Sequence, residues 1–228
     1  MALRRPADFA AQRSGMVERQ LRRRGITDER VLEAMGEVPR ERFVPEPERR
    51  GAYNDSALPI GHGQTISQPW IVAAIAEALA LEGDERVLEI GAGSGYSAAV
   101  VARLAREVIA IERLEPLATA AREVLAELGI KNVRIVVADG TGGWPDEAPY
   151  EGIAVHATAP AVPPSLVSQL APGGRLVIPI ASDGADILTV YTRTGDEVDP
   201  ESGAGLEARS LGACRFVPLI GREGFGER

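Results

Sequence analysis

Three carboxylates follow one another along the sequence at positions suited to binding a nucleoside-containing ligand. Glu89 lies in the segment 87–96, Val-Leu-Glu-Ile-Gly-Ala-Gly-Ser-Gly-Tyr, while Glu112 and Asp139 each close a later apolar segment. Glu112 follows the first glycine of that segment by about 20 residues, where a doubly wound fold offers a carboxylate to a ribose diol. The position of Asp139 suits a hydrogen bond to an adenine amino group. Acids at three successive strand ends therefore predict a nucleoside-cofactor site on a βαβ unit.

The glycine segment narrows the identity of the cofactor. Gly91, Gly93 and Gly95 let the chain turn tightly and approach a ligand. Tyr96, however, stands where the dinucleotide fingerprint requires its third glycine. Glu89 would repel a pyrophosphate, whereas it could accept a hydrogen bond from the ammonium group of an amino-acid-like ligand. The pattern therefore favours S-adenosylmethionine over NAD.

Alternating helical and extended segments predict the fold that positions these residues. Such alternation implies right-handed crossovers and a mostly parallel sheet, so we expect an α/β, Rossmann-like sheet. With the S-adenosylmethionine site predicted above, it would be a methyltransferase sheet. The predicted helices span residues 69–81, 94–106, 116–129 and 163–171, and the predicted strands span residues 86–91, 107–112, 132–138, 150–156 and 175–181.

The segment before the sheet predicts a helical addition. Residues 1–60 are expected to form an N-terminal helical extension packed on the core. Its first helix should run over residues 16–24 and end at Gly25, and Thr27 is placed to cap a second helix. Residues 61–228 are then the methyltransferase domain, and the whole chain is expected to be a single compact domain.

The pattern after residue 182 changes to strands alone. We expect antiparallel strands over residues 186–192 and 213–220, separated by a loop or weak hairpin at 195–209. These strands would complete the otherwise parallel sheet at its C-terminal side.

Composition argues against several classes of protein. The net charge of −8 over 228 residues argues against nucleic acid as the main partner. No apolar run approaches the 18 residues of a membrane span, so no membrane association is expected. Cys214 is the single cysteine, which fits a reducing compartment, and the N-terminus lacks the apolar segment of a secretory signal. A cytoplasmic location is therefore expected.

The segment before the first core helix has a structural interpretation of its own. Ser67 suits a helix N-cap because Pro69 follows in the first turn, and Ile66 is placed to pack on Ile71. On local pattern alone, the Ser67 hydroxyl is a helix cap.

The same segment carries a specific resemblance. Gly-Gln-Thr-Ile-Ser-Gln-Pro at 63–69, followed by the glycine segment 87–96, resembles the protein-L-isoaspartate O-methyltransferase family. The resemblance extends over almost the whole chain from residue 16 to residue 220. Its other motifs lie at 38–44, 52–61, 139–140, 148–150, 172–176 and 216–219.

The resemblance implies a set of site residues. Ser67 is the implied active-site residue, and no metal is implied. The residues implied to hold S-adenosylmethionine are Gln64, Thr65, Gln68, Glu89, Gly91, Gly93, Gly95, Tyr96, Glu112, Asp139 and Gly140. Those implied to bind an extended substrate peptide are Thr65, Ile66, Ser67, Val217, Pro218 and Leu219.

The implied reaction transfers a methyl group to the free α-carboxylate of L-isoaspartyl residues in damaged proteins and peptides, which starts repair through a succinimide. A carboxylate is already ionised at neutral pH, so the reaction needs no general base. This agrees with a chain that holds only two histidines and no Ser-His-Asp pattern. An alternative is a related carboxyl methyltransferase that modifies one aspartate in a dedicated peptide.

Two other classes fit less well. A nucleic-acid methyltransferase would use an Asp/Asn-Pro-Pro-Tyr segment where this chain has His156-Ala-Thr-Ala. A non-enzymatic binding module would lose affinity for the cofactor, which the intact segments 63–69 and 87–96 argue against. Glu151, where relatives often have aspartate, and His156, where small residues are more usual, depart from the family pattern. His156 leaves the shape of the substrate pocket open.

Overall fold

The computed structural model describes residues 8–226, and its core is a seven-stranded sheet with helices on both faces. The α-helices are α1 (Phe9–Met16), α2 (Glu29–Glu37), α3 (Pro69–Leu79), α4 (Tyr96–Val101), α5 (Glu115–Glu127) and α6 (Pro164–Ser168). The strands are β1 (Leu58–Gly61), β2 (Gln64–Ile66), β3 (Arg86–Ile90), β4 (Glu107–Glu112), β5 (Val133–Val137), β6 (Tyr150–Val155), β7 (Leu170–Ile180), β8 (Asp186–Arg193) and β9 (Leu206–Cys214).

The sheet confirms the predicted fold class. Its strand order is β5-β4-β3-β6-β7-β8-β9, with parallel pairing from β5 to β7 and antiparallel pairing of β8 and β9. The chain leaves β3 towards β4 on one side and returns to β6 on the other. Ligands of open α/β sheets bind at such a switch point, beyond the carboxyl ends of the strands.

Alternation along β3 explains how the sheet is covered. Val87 belongs to an apolar cluster that also contains Leu21, Met35 and Ile75, so the N-terminal helices and α3 pack on this face. Leu88 belongs to a second cluster on the opposite face. Successive side chains of a strand point to opposite faces, so a strand buried on both faces reads as a continuous apolar run. The shared first cluster supports the prediction that the extension and the core form one domain.

Two predicted helix caps are wrong. Asp28, not Thr27, caps α2, and its carboxylate accepts from the backbone N–H of Arg30 at 2.8 Å. The Thr27 hydroxyl instead donates to Glu77. Ser67 does not cap α3, because Gln68 occupies the N-cap position and makes no side-chain cap bond. Pro69 begins the helix, and its missing N–H removes one of the donors that a cap would satisfy.

The N-terminal helix also differs from its predicted bounds. The segment predicted as one helix over 16–24 begins earlier, as α1, and continues through a π-helical turn at Val17–Leu21 and a 3₁₀ turn at Arg22–Arg24. Gly25 ends it with φ +94°, as predicted, because glycine adopts this left-handed conformation without a side-chain clash.

The last predicted strand is misplaced. β9 lies at Leu206–Cys214, within and beyond the expected loop, and not at 213–220. All nine of its residues are exposed or half-buried, so the strand lacks the apolar alternation that identifies a strand in sequence. Residues 216–220 instead cross the carboxyl edge of the sheet, where the backbone N–H of Thr158 donates to the Val217 carbonyl at 2.9 Å.

Two further elements depart from expectation. The helix expected over 163–171 is only the five residues of α6, because Leu170 already begins β7. β1 and β2 form a hairpin that the sequence pattern does not predict, and His62 turns it with φ +52°. Within residues 8–226, no helix is both long enough and apolar enough to cross a membrane.

Candidate active site

A cavity lies at the switch point, beyond the carboxyl ends of β3, β4 and β6. It brings together predicted residues from four separate segments. These are Gln64, Thr65, Ile66 and Ser67 of the hairpin region, Gly91, Gly93, Tyr96 and Glu112 of the first βαβ unit, Gly140, and Val217, Pro218 and Leu219 near the C-terminus. Four other predicted residues, Glu89, Gly95, Asp139 and Gln68, do not line it.

The turn after β3 has the backbone conformation that its glycines predict. Gly93 and Gly95 have φ values of +54° and +85°, which residues with a side chain rarely adopt. A Cβ atom on Gly95 would also lie 3.2 Å from Cβ of Ala121, so this glycine allows α5 to pack closely against the turn. The turn thus exposes backbone to the cavity while remaining anchored to the core.

Glu112 is the acid that the cavity contains. Its side chain is almost fully buried, and its two carboxylate oxygens accept from the backbone N–H of Gly93 at 2.8 Å and of Leu114 at 2.9 Å. A carboxylate oxygen has two lone pairs, so each retains capacity for another donor. Glu112 therefore fixes the glycine turn and can still bind a diol. These features fit the adenosyl and ribose groups of S-adenosylmethionine.

Asp139 stands outside the cavity and holds the C-terminal segment. Its carboxylate accepts from the Thr141 backbone N–H at 2.9 Å, the Thr141 hydroxyl at 2.7 Å and the Arg222 backbone N–H at 3.0 Å. Partial burial alone would raise the pKa of Asp139, but the hydrogen bonds from Arg222 and Thr141 outweigh burial and lower it. The neighbouring Gly140, rather than Asp139, reaches the cavity wall.

This arrangement predicts a pH-dependent contribution of Asp139 to stability. Asp139→Asn should lower the free energy of unfolding by about 1 kcal/mol at pH 7, a small value because most of the Asp139 side chain is exposed to solvent. A lowered folded-state pKa stabilises the protein above the unfolded pKa, so the difference should shrink as the pH falls below about 4. Urea unfolding of both proteins at pH 7 and pH 3 measures it. A difference that stays constant would show that the charge of Asp139 is not involved.

Arg40 positions the segment that contains Ser67, although sequence patterning did not single it out. The guanidinium is fully buried and donates from Nη2 to the Ser67 carbonyl at 2.8 Å and from Nε to the Ala52 carbonyl at 2.7 Å. It also lies 4.8 Å from the centre of the Tyr96 ring. Arg40 thus joins the Ser67 segment to the start of α4. The only sequence signal was its place in the family-like segment 38–44.

A second cavity adjoins the first at the Ser67 segment. The two cavities share Thr65, Ser67, His156 and Val217, and Gln68 lines only the second one. Three of the six predicted substrate residues, Thr65, Ser67 and Val217, therefore form a partition between the two cavities. Because the two cavities share these residues, a methyl donor in one cavity and a methyl acceptor in the other can meet there.

Metal ligation finds no support in the described part of the chain. Across residues 8–226, no group of three or more His, Cys, Asp or Glu side chains could hold a metal ion. The absence of a metal requirement stays a prediction. Cys214 is half-buried, and burial raises the pKa of its thiol to about 11, so the thiol is a poor nucleophile at neutral pH.

Comparison with known proteins agrees with this geometry. The model of the family "Protein-L-isoaspartate(D-aspartate) O-methyltransferase (PCMT)" matches residues 11–224. Protein-L-isoaspartate O-methyltransferase 1 of Rhodopseudomonas palustris (strain HaA2) is 56% identical over 95% of this chain and 86% of its own length. Protein-L-isoaspartate O-methyltransferase 2 of Marinobacter nauticus is 55% identical over 96% of this chain and 97% of its own length.

Structural comparison gives the same result. A crystal structure from Plasmodium falciparum in complex with S-adenosyl-L-homocysteine is similar with a TM-score of 0.75 at 28% identity. The match covers 91% of this chain and 98% of that chain. Sequence, fold and cavity thus lead to one conclusion: the chain belongs to the protein-L-isoaspartate(D-aspartate) O-methyltransferase family and uses S-adenosylmethionine.

Proposed function

We propose that the protein methylates the free α-carboxylate of L-isoaspartyl residues in damaged proteins and peptides, which starts their repair through a succinimide. The reaction class, methyl transfer to a carboxylate, follows from family membership. The proposed positions of the methyl donor and the peptide rest on one observation, which is that Thr65, Ser67 and Val217 line both cavities. One cavity contains Glu112 and the glycine turn, and the other shares Ser67 with it and also contains Gln68.

The first cavity is proposed as the donor pocket. S-adenosylmethionine, when bound, supplies an electrophilic methyl group on a sulfonium. Glu112 would accept from the ribose hydroxyls, while Gly91 and Gly93 let the backbone approach and Tyr96 closes the wall. Gln64, Thr65 and Gly140 also line this pocket. Asp139 and Gln68 do not line this pocket, and their contact with S-adenosylmethionine stays a prediction.

The partition is proposed as the acceptor site. Thr65, Ile66 and Ser67 would bind one side of an extended peptide, and Val217, Pro218 and Leu219 the other. The Ser67 hydroxyl would orient the acceptor carboxylate or the amide beside it. Because the carboxylate is already ionised, these residues contribute through positioning and water exclusion rather than proton transfer, and good positioning can supply up to about 7–11 kcal/mol.

The discriminating experiment uses paired peptides that differ only in one linkage. We expect methyl transfer from S-adenosylmethionine to the isoaspartyl peptide and little or none to the aspartyl peptide. Methylation of the aspartyl peptide alone would favour the alternative, a carboxyl methyltransferase dedicated to one aspartate. Methylation of neither peptide would contradict both.

Ser67→Ala tests the proposed role of the hydroxyl. Losing one positioning hydrogen bond costs about 1–3 kcal/mol, so kcat/KM for the isoaspartyl peptide should fall by about 5- to 150-fold. The melting temperature should change little, because Ser67 does not cap α3. Steady-state kinetics and thermal unfolding measure both quantities. Unchanged kcat and KM would remove Ser67 from the acceptor site.

Isoaspartyl-containing proteins and peptides are the proposed partners. The net charge of −8 supports the prediction that nucleic acid is not a partner. The single cysteine supports a cytoplasmic location, which stays a prediction.

A further inference from the structure

Glu89 is a buried carboxylate to which none of the described residues donates a hydrogen bond. It is fully buried within β3, and neither of its side-chain oxygens has a hydrogen-bond partner among the described residues. Burying an ionised carboxylate without compensation is costly, so such a group is retained where a cationic or donor group offsets its charge. Glu89 does not line the cavity, which leaves open how its charge reaches a ligand there.

His156 stands next to Glu89 and does line the cavity. Its Nε2 lies 3.6 Å from Oε2 of Glu89 and 2.8 Å from Oγ of Ser97, and its side chain is only 6% exposed. The ring follows directly after β6, where the backbone N–H of His156 donates to the Ile90 carbonyl at 2.9 Å. The imidazole is therefore the group through which Glu89 can act on the contents of the cavity.

The neighbours of Nε2 determine what the ring can offer. A carboxylate beside Nε2 favours the tautomer that carries the proton there, as carboxylates do for histidines that bind metals. The other nitrogen, Nδ1, is then an acceptor, and the Glu89 carboxylate lies on the opposite, Nε2 side of the ring. An acceptor backed by negative charge suits an ammonium group, whereas it repels a carboxylate.

We propose that His156 binds the ammonium group at the amino-acid end of the methyl donor, and that Glu89 is a positioning residue acting through His156. This inference rests on the donor pocket proposed above. It replaces direct contact between Glu89 and the ammonium group with contact through the imidazole. It also gives a role to a histidine that departs from the family pattern.

The test compares two ligands in calorimetric titrations of the whole protein. S-adenosylhomocysteine carries the ammonium group, and its deaminated analogue has hydrogen in that place but keeps the carboxylate and the adenosine. The wild type should bind S-adenosylhomocysteine at least tenfold more tightly than the analogue. In His156→Ala this ratio should fall to near one, because only the binding of S-adenosylhomocysteine weakens.

Two further variants control for effects on folding. His156→Asn keeps an acceptor oxygen and should restore part of the preference, so it decides the matter if His156→Ala unfolds. His62→Asn removes the other histidine, at an exposed turn that tolerates asparagine, and should leave both affinities unchanged. Melting temperatures of all variants establish that they are folded.

The possible failures are distinguishable. The inference is overturned if His156→Ala keeps the wild-type preference, or if both ligands weaken equally, since a ring that only packs affects both. Equal binding of the two ligands by the wild type also overturns it. Failure of the donor pocket itself would appear differently, as S-adenosylhomocysteine binding that is insensitive to replacement of Glu112.

Discussion

Glu112→Ala is expected to weaken the binding of S-adenosylhomocysteine by about 100-fold or more. Two hydrogen bonds to a charged acceptor contribute about 1.5–3 kcal/mol each, and the variant would lose the two that Glu112 is proposed to accept from the ribose. The same carboxylate also holds the Gly93 and Leu114 N–H groups, so its removal loosens the glycine turn. Calorimetric titration measures the change in affinity.

Graded controls sharpen this expectation. Glu112→Gln keeps the size of the side chain and one acceptor oxygen, so we expect a smaller loss, of about tenfold. Glu115→Gln changes an exposed acid in the first turn of α5 and should leave affinity unchanged. Wild-type affinity in Glu112→Ala would place the donor elsewhere.

Arg40→Met is expected to reduce both stability and turnover. The variant leaves the carbonyl groups of Ala52 and Ser67 without their donor inside the protein, which should lower the free energy of unfolding by about 3 kcal/mol. Because the Ser67 segment is then no longer fixed, kcat should fall more than the affinity for S-adenosylhomocysteine. Urea unfolding, steady-state kinetics and calorimetry separate these effects.

Matched substitutions distinguish positioning from general destabilisation. Arg40→Lys retains a buried charge and can donate to one of the two carbonyl groups, so kcat should be partly restored. Arg42→Met removes an exposed arginine that pairs with Glu127 and should cost less than about 1 kcal/mol, without effect on kcat. If Arg40→Met lost stability but kept the wild-type kcat, Arg40 would contribute to folding alone.

Local sequence patterns were sufficient for the fold class and for part of the cavity. The strand Arg86–Ile90 is buried on both faces and the glycines follow it directly, so its apolar run and its turn are visible within ten residues. Glu112 was placed by its distance from that turn, because the crossover between neighbouring parallel strands has a typical length. The Ser67 segment entered through family resemblance, since its local pattern alone predicted a helix cap that the structure does not have.

Apolar periodicity did not predict the strands that are short or exposed to solvent. β9 is an edge strand whose residues mostly face solvent, and without apolar alternation its sequence predicts a loop. The hairpin of β1 and β2 is too short to show a period. Asp28 rather than Thr27 caps α2, while the backbone N–H and the hydroxyl of Thr27 both donate to Glu77. Glu77 lies about 50 residues further along the chain, so no local pattern shows this contact.

By itself, the sequence determined the alternating strands and helices from β3 to β7, the glycine turn and the acid at the end of β4, because each depends on neighbours within one supersecondary unit. Only the tertiary structure decided that His156 stands beside Glu89 and that Arg40 holds Ser67. These pairs are separated by 67 and 27 residues, and the short distances between them arise from parallel strand pairing and core packing. No periodicity encodes such contacts, since they exist only once separate elements pack together.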